Sequence, residues 1–157
     1  MDNKCYYHRM FSQLDVIMPN IIAYRLNNFW YDSKDDVITF QDVLDKSTQY
    51  EESFIKKSVE SWGGSGVYYF SQAYGKEKFD SIIGSIGGDL IIQEGIKQSQ
   101  TLDTINSDFV NTIRVLSFLR TDGSVLILST ILRLGVKGAK VDNASSGGIV
   151  VGIKIKR

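Results

Sequence analysis

Hydrophobic and polar residues follow one another in blocks along the chain, and these blocks predict a mixed α+β fold. β-branched and aromatic residues dominate residues 21–31, which predict a strand. After a polar turn, residues 39–48 follow a helical period that turns Val43 and Leu44 inward. Residues 75–84 predict a second amphipathic helix.

A glycine-rich loop separates two further predicted strands, residues 54–57 and 67–70. Two lysines, Lys56 and Lys57, stand at its entrance, and its glycines are Gly63, Gly64 and Gly66. Backbone amides of such a loop can approach a bound anion closely. The same glycines also suit a simple turn, and the pattern leaves both interpretations open.

The second half of the chain predicts mostly strands. Residues 89–96 begin as a strand and become a connector at Gly95, and a polar loop follows. Residues 109–120 and 124–135 are long apolar runs joined through Asp122-Gly123, which is a strong hairpin signal. Alternation at the C-terminus predicts a last strand running to Arg157, and a sheet that ends without a cap predicts a C-terminally incomplete fold.

The predicted hairpin determines on which face of the sheet two arginines lie. With a two-residue turn, Arg114 pairs with Ile131 and Arg133 pairs with Thr112, so both guanidinium groups lie on one face. Like charges within apolar strands are unfavourable unless an anion or carboxylates lie between them. Acidic partners, or side chains that reach the sheet edge, are the alternative. A bulge in the turn would shift the register by one residue and separate the two groups.

Composition narrows the class of protein. The 157 residues carry no net charge, which gives no reason to expect nucleic acid or an anionic membrane as a partner. Cys5 and His8 are the only residues of their types, so an intrachain disulfide, a structural zinc site and a Cys/His catalytic pair are not expected. The N-terminus lacks a signal peptide pattern, and the longest apolar segment contains Arg133 and is too short to span a bilayer. These features predict a soluble cytoplasmic protein.

Four stretches in a fixed order carry a resemblance to a known family, whereas phosphate-loop, Rossmann and kinase motifs are missing. They resemble the ATP-grasp superfamily and, more narrowly, the sugar-transfer-associated ATP-grasp group close to α-L-glutamate ligase-type enzymes. The stretches are FIKKSVESWGGSGV (54–67), LIIQEGIKQS (90–99), NTIRVLSFLRTDGSVLILSTILRLG (111–135) and VDNASSGGIVVGI (141–153).

The resemblance implies a fold and a reaction. ATP would lie between two α+β subdomains with mainly antiparallel sheets, and its γ-phosphoryl group would pass to a carboxylate. An amine would then attack the acyl phosphate and form an amide bond, in the synthesis of surface polysaccharide or sugar conjugates. The implied segments are a lead-in over 1–50, a glycine-loop subdomain over 51–92 and the start of a second subdomain over 93–157.

The resemblance also implies roles for individual residues. Lys56 would meet the α- and β-phosphates, and Arg114 and Arg133 would hold the transferred phosphate and the acyl oxygen. Asn143 would orient the substrate, although it is also an ordinary turn former. The residues implied to cover the phosphates are Gly63, Gly64 and Gly66, and those implied to line the adenine slot are Gln93, Glu94 and Ile96. Glu94 has a second interpretation as a simple strand-end carboxylate.

One departure from the family limits the implied chemistry. Relatives bind Mg²⁺ through an acidic residue and a Glu-x-Asn motif after the Gly-Gly segment, and no such motif follows here. The sequence therefore predicts ATP with Mg²⁺ as cofactors but assigns no metal ligands. It predicts a partial ligase domain with small carboxylate and amine substrates. The alternatives are a non-catalytic nucleotide-binding fragment and a β-rich binding domain whose glycine loops are only turns.

Overall fold

The structure is a computed structural model that describes residues 3–11, 13–58, 66–107, 110–136 and 147–154. The chain divides into two compact units, Met1–Ile96 and Lys97–Arg157. Both units contain antiparallel sheets, and helices accompany them, so the predicted α+β class is confirmed. The functional division into segments 1–50, 51–92 and 93–157 stays a prediction.

The first unit is built on a six-stranded sheet with the strand order β3-β2-β1-β6-β4-β5. Its strands are β1 (Ile21–Leu26), β2 (Phe29–Tyr31), β3 (Val37–Ile38), β4 (Glu52–Lys57), β5 (Val67–Ser71) and β6 (Leu90–Glu94). Its helices are α1 (Lys4–Phe11), α2 (Phe40–Ser47) and α3 (Gly75–Ser85). The predicted helices over 39–48 and 75–84 correspond to α2 and α3.

The two faces of this sheet bury different side chains. On one face α2 and α3 cover the main core, in which the predicted Val43 and Leu44 are both buried. On the other face α1 inserts Cys5 beside Tyr24 and Ile91. Ile91 is the register partner of Lys56 on β4, so Lys56 points to the same face as α1.

Two features of the first unit differ from the sequence prediction. The single strand predicted over residues 21–31 is wrong, because the chain turns back at Asn27 and Asn28 with φ angles of 50° and 67°. Asparagine tolerates this left-handed region, which a two-residue hairpin turn requires. Helix α1 was not predicted: Tyr7 and Phe11 recur at a helical spacing, but only Cys5 of its eight residues is buried.

The second unit is a three-stranded sheet with the order β7-β8-β9. The strands are β7 (Thr112–Leu119), β8 (Val125–Leu134) and β9 (Ile149–Gly152), and the short helix α4 spans Gln100–Asp103. The buried Asn111 ties the loop before β7 to the sheet, because its amide donates to Gln98 Oε1 at 2.7 Å and its Oδ1 accepts the Gly135 N–H at 3.4 Å.

The β7–β8 hairpin has the predicted register at the two arginines, although its turn differs from the predicted one. Arg114 pairs with Ile131 and Arg133 pairs with Thr112, as predicted. The predicted two-residue turn is wrong, however: Arg120 and Ser124 close a longer loop in which Gly123 has a φ of 82°. The one-residue shift that a bulge in the turn would cause does occur near the turn, and an irregularity between Leu116 and Ser117 reverses it before Arg114 is reached.

The last strand is shorter than predicted. β9 ends at Gly152, although the Ile153 N–H still donates to Thr130 O at 2.9 Å. Residues 155–157 lie outside the described part of the chain.

Candidate functional site

Lys56 is a half-buried cation at the end of β4. Its Nζ donates to Gln93 Oε1 at 2.9 Å and lies 6.0 Å from the centroid of the Phe54 ring. Burial, and secondarily the charge of Lys4, lowers the pKa of Lys56. Among the described residues no carboxylate forms an ion pair with it. An ammonium group in this setting is stabilised by an incoming anion.

Lys4 is a second cation at this position, and the sequence prediction missed it. The Lys4 N–H donates to Ser58 O at 2.8 Å, and its Nζ donates to Lys57 O at 3.3 Å. The first turn of α1 is therefore attached to the end of β4, where the glycine-rich segment begins. Because Lys4 and Lys56 are about fifty residues apart in the chain, no local sequence signal links them.

An aromatic ledge, formed by Phe54, Tyr69 and Tyr74, lies beside Lys56 on the same unit. The Phe54 and Tyr69 rings meet edge-on with centroids 5.8 Å apart, and Tyr69 meets Tyr74 at 6.0 Å. Tyr69 Oη donates to Glu52 Oε1 at 2.8 Å. Tyr69 and Tyr74 are exposed, so the ledge offers aromatic surface next to a cation.

The residues predicted to line the adenine slot follow one another at the end of β6. Gln93 accepts the hydrogen bond from Lys56, while Glu94 is tied to the chain before β1. The Asn20 N–H donates to Glu94 Oε1 at 2.9 Å, and the Glu94 N–H donates to Asn20 O at 3.0 Å. Ile96 is exposed at the end of the first unit. Their predicted role with adenine stays a prediction.

The predicted glycine cover is described only at its end. Gly66 has a φ of 70°, a value that favours glycine, and its carbonyl accepts the Lys57 N–H at 2.9 Å. Gly63, Gly64 and the predicted Asn143 lie outside the described residues. The loop therefore leaves and rejoins the β4–β5 pair directly beside Lys56.

In the second unit Arg114 and Arg133 lie on one face of the sheet, which is the geometry that the predicted anion site requires. Arg114 is exposed on the edge strand β7, and Arg133 is half-buried on the central strand β8. Their predicted contact with the transferred phosphate stays a prediction.

The part of the chain that the structure describes contains no cluster of side chains suited to bind a metal ion. No three His, Cys, Asp or Glu side chains converge there in a way that could hold one. The described residues thus do not fit the Mg²⁺ that the sequence resemblance implied, and no step of the proposed reaction depends on it.

Of the described helices, none combines the length and apolar character that a bilayer crossing needs.

A cavity of about 240 Å³ lies beneath α1, and its charged groups neutralise one another. Asp35 accepts a hydrogen bond from the Tyr24 hydroxyl and pairs with Arg9 at 2.6 Å. Burial lowers the pKa of His8 and raises the pKa of the Cys5 thiol to about 12, so both side chains are uncharged near neutral pH. The described residues that line the cavity are thus polar in part and carry no unbalanced charge.

The chain is similar to a known protein family over its whole length. A family model described as sugar-transfer associated ATP-grasp matches residues 1–157. The comparison with curated proteins found no match, and the comparison with solved structures found none either.

Proposed function

Because this chain belongs to the sugar-transfer-associated ATP-grasp family, we propose that it binds ATP on the α1-covered face of the first sheet, along the antiparallel strands β4 and β6. The observation that carries this proposal is the half-buried Lys56 ammonium, which has Lys4 beside it and forms no carboxylate ion pair among the described residues. A polyphosphate would supply a negative charge that pairs with the Lys56 ammonium group.

The surroundings of the two lysines suit the rest of a nucleotide. The glycine segment, of which the structure describes only Gly66, would supply backbone amides for the phosphates. The aromatic ledge and the exposed side chain of Ile96 provide apolar surface for a planar base. Gln93 accepts from Lys56 and so fixes where its ammonium group points.

We further propose that the nucleotide serves carboxylate–amine ligation. A carboxylate oxygen would attack the γ-phosphorus, the bond from that phosphorus to the ADP oxygen would break, and an acyl phosphate would form. An amine would then attack the acyl carbon, phosphate would leave, and the nitrogen would lose a proton. Arg114 and Arg133 would stabilise the transferred phosphoryl group as fixed positive charge, which is the main contribution a protein makes to this chemistry. A link to surface polysaccharide synthesis forms part of this proposal.

Calorimetric titration with ATP and with adenosine tests the binding step. Replacing Lys56 by Gln should weaken ATP binding by about tenfold to a hundredfold, since a hydrogen bond to a charged group contributes about 1.5–3 kcal/mol. Adenosine binding should change little, because it has no phosphate. Lys78→Gln is the matched control, since Lys78 is exposed on α3. Equal ATP affinity in wild type and Lys56→Gln would refute the assignment.

A second measurement separates ligation from simple nucleotide binding. Phosphate release is followed in the presence of candidate carboxylates and amines, with wild type and with Arg114→Gln. Release that needs both substrates and falls in Arg114→Gln supports a ligase. ATP binding without any release supports a nucleotide-binding module instead.

A further inference from the structure

Helix α1 is fixed at both of its ends by contacts with different parts of the first unit. Its first turn is attached to the end of β4 through Lys4, and Cys5 is buried with its Sγ 3.8 Å from Leu90 O. At the other end, Arg9 Nη2 lies 2.6 Å from Asp35 Oδ2. An isolated helix of eight residues is unstable in water. The position of α1 therefore depends on these contacts.

Asp35 lies in a turn that has hydrogen bonds of its own. Asp35 has a φ of 71°, its N–H donates to Asp32 O at 3.1 Å, and its Oδ1 accepts from Tyr24. Asp32 Oδ1 in turn accepts the backbone N–H groups of Lys34 and Asp36 at 2.9 and 3.2 Å. The turn and Tyr24 of β1 thus hold the Asp35 carboxylate through contacts that do not involve α1.

We propose that Asp35 and Arg9 form a positioning pair that holds α1 on the sheet and thereby keeps Lys4 beside Lys56. Arg9 follows Lys4 by five residues, about 7.5 Å along the helix axis. A rigid helix transmits the position of one end to the other over this distance. The expected effect of this pair on phosphate binding rests on the proposed function. The mechanical link between Asp35 and Lys4 does not depend on that function.

The pKa of Lys56, followed by NMR of its side chain without nucleotide, tests the mechanical link directly. Asp35→Asn keeps a residue that tolerates positive φ and an oxygen that accepts from Tyr24, but it removes the charge that pairs with Arg9. We expect the pKa of Lys56 to rise toward its ordinary value as Lys4 moves away. Asp36→Asn is the control, because it makes the same charge change in the same turn. An unchanged pKa in Asp35→Asn, or an equal rise in both variants, overturns the proposal.

ATP titration of single and double variants tests the functional consequence. Exposed ion pairs couple weakly, so Asp35→Asn should weaken ATP binding only about twofold to fivefold and leave adenosine binding unchanged. Arg9→Gln should behave in the same way, and Arg9→Lys should retain most of the affinity. In a Lys4→Gln background Asp35→Asn should have no further effect, because it acts through Lys4.

The NMR measurement and the ATP titration together distinguish a failure of the positioning pair from a failure of the proposed function. Additive losses in the double variant overturn the proposal, because Asp35 would then act independently of Lys4. If wild type does not bind ATP, the proposed function fails, and the pKa of Lys56 still decides whether Asp35 positions Lys4.

Discussion

Gly95, which directly follows β6, lies so close to β4 that it has no room for a side chain. A β-carbon at Gly95 would lie 2.8 Å from Glu52 Cβ and 3.2 Å from Glu52 O. The Gly95 N–H also donates to that same oxygen at 2.8 Å, so the two chains are already in contact. Gly95→Ala must therefore force β4 and β6 apart.

The loss of stability expected for Gly95→Ala follows from these distances. Carbon atoms in contact normally lie about 3.5–4.0 Å apart, so the strands must separate by about 0.7 Å or more. Overpacking of this kind costs about 1–3 kcal/mol. The same movement would lengthen the 2.9 Å hydrogen bond from Lys56 to Gln93, which joins β4 to β6 just before Gly95.

Urea unfolding measured by tryptophan fluorescence provides the assay, because Trp30 and Trp62 both fall within the sequence of the first unit. With a urea dependence of about 1–3 kcal/mol per molar, Gly95→Ala should lower the unfolding midpoint by on the order of 1 M. Gly84→Ala is the matched control: Gly84 lies in α3, and a β-carbon there would have no atom within 4 Å. Alanine at this position should raise stability by up to about 1 kcal/mol. Shifts of the same sign in both variants would refute the reasoning.

Two further predictions concern a buried thiol and a turn. Burial raises the pKa of Cys5 from 9.0 to about 12, so its contribution to stability is complete below pH 9.0 and is lost as pH rises toward 12. The stability difference between wild type and Cys5→Ser in urea should therefore shrink as pH rises above 9.0; a constant difference would contradict this. Gly123→Ala should destabilise the hairpin by about 1–2 kcal/mol, because Gly123 has a φ of 82°. Hydrogen exchange of the β7 amides should quicken in Gly123→Ala and less in Gly123→Asn, and equal rates in both would count against it.

Sequence patterns predicted the elements whose signals are local. The strands around the glycine loop and both helices over the core follow from short apolar periods, and Val43 and Leu44 are buried as expected. The turn at Asn27-Asn28 was missed because aromatic and β-branched residues continue on both sides of it. Helix α1 was missed although Tyr7 and Phe11 recur at a helical spacing, and Cys5 is the residue that it buries against the sheet.

The candidate site shows the same division between local and distant signals. Lys56 could be found because it stands next to a glycine-rich segment. Lys4 and Asp35 could not, since their relation to Lys56 exists only after α1 and the 32–36 turn meet the sheet. Sequence reasoning therefore identified one cation of the site and missed both the second cation and the carboxylate that we infer positions it.

The two arginines of the second unit show how a correct register can follow from an incorrect turn. Each of two irregularities, the loop closed by Arg120 and Ser124 and the break between Leu116 and Ser117, would by itself shift one strand by a residue. Because a shift of one residue exchanges the faces of a strand, either irregularity alone would place Arg114 and Arg133 on opposite sides. Together they cancel, and the two guanidinium groups share a face. The shared face is thus a property of the whole hairpin, and the turn residues alone do not determine it.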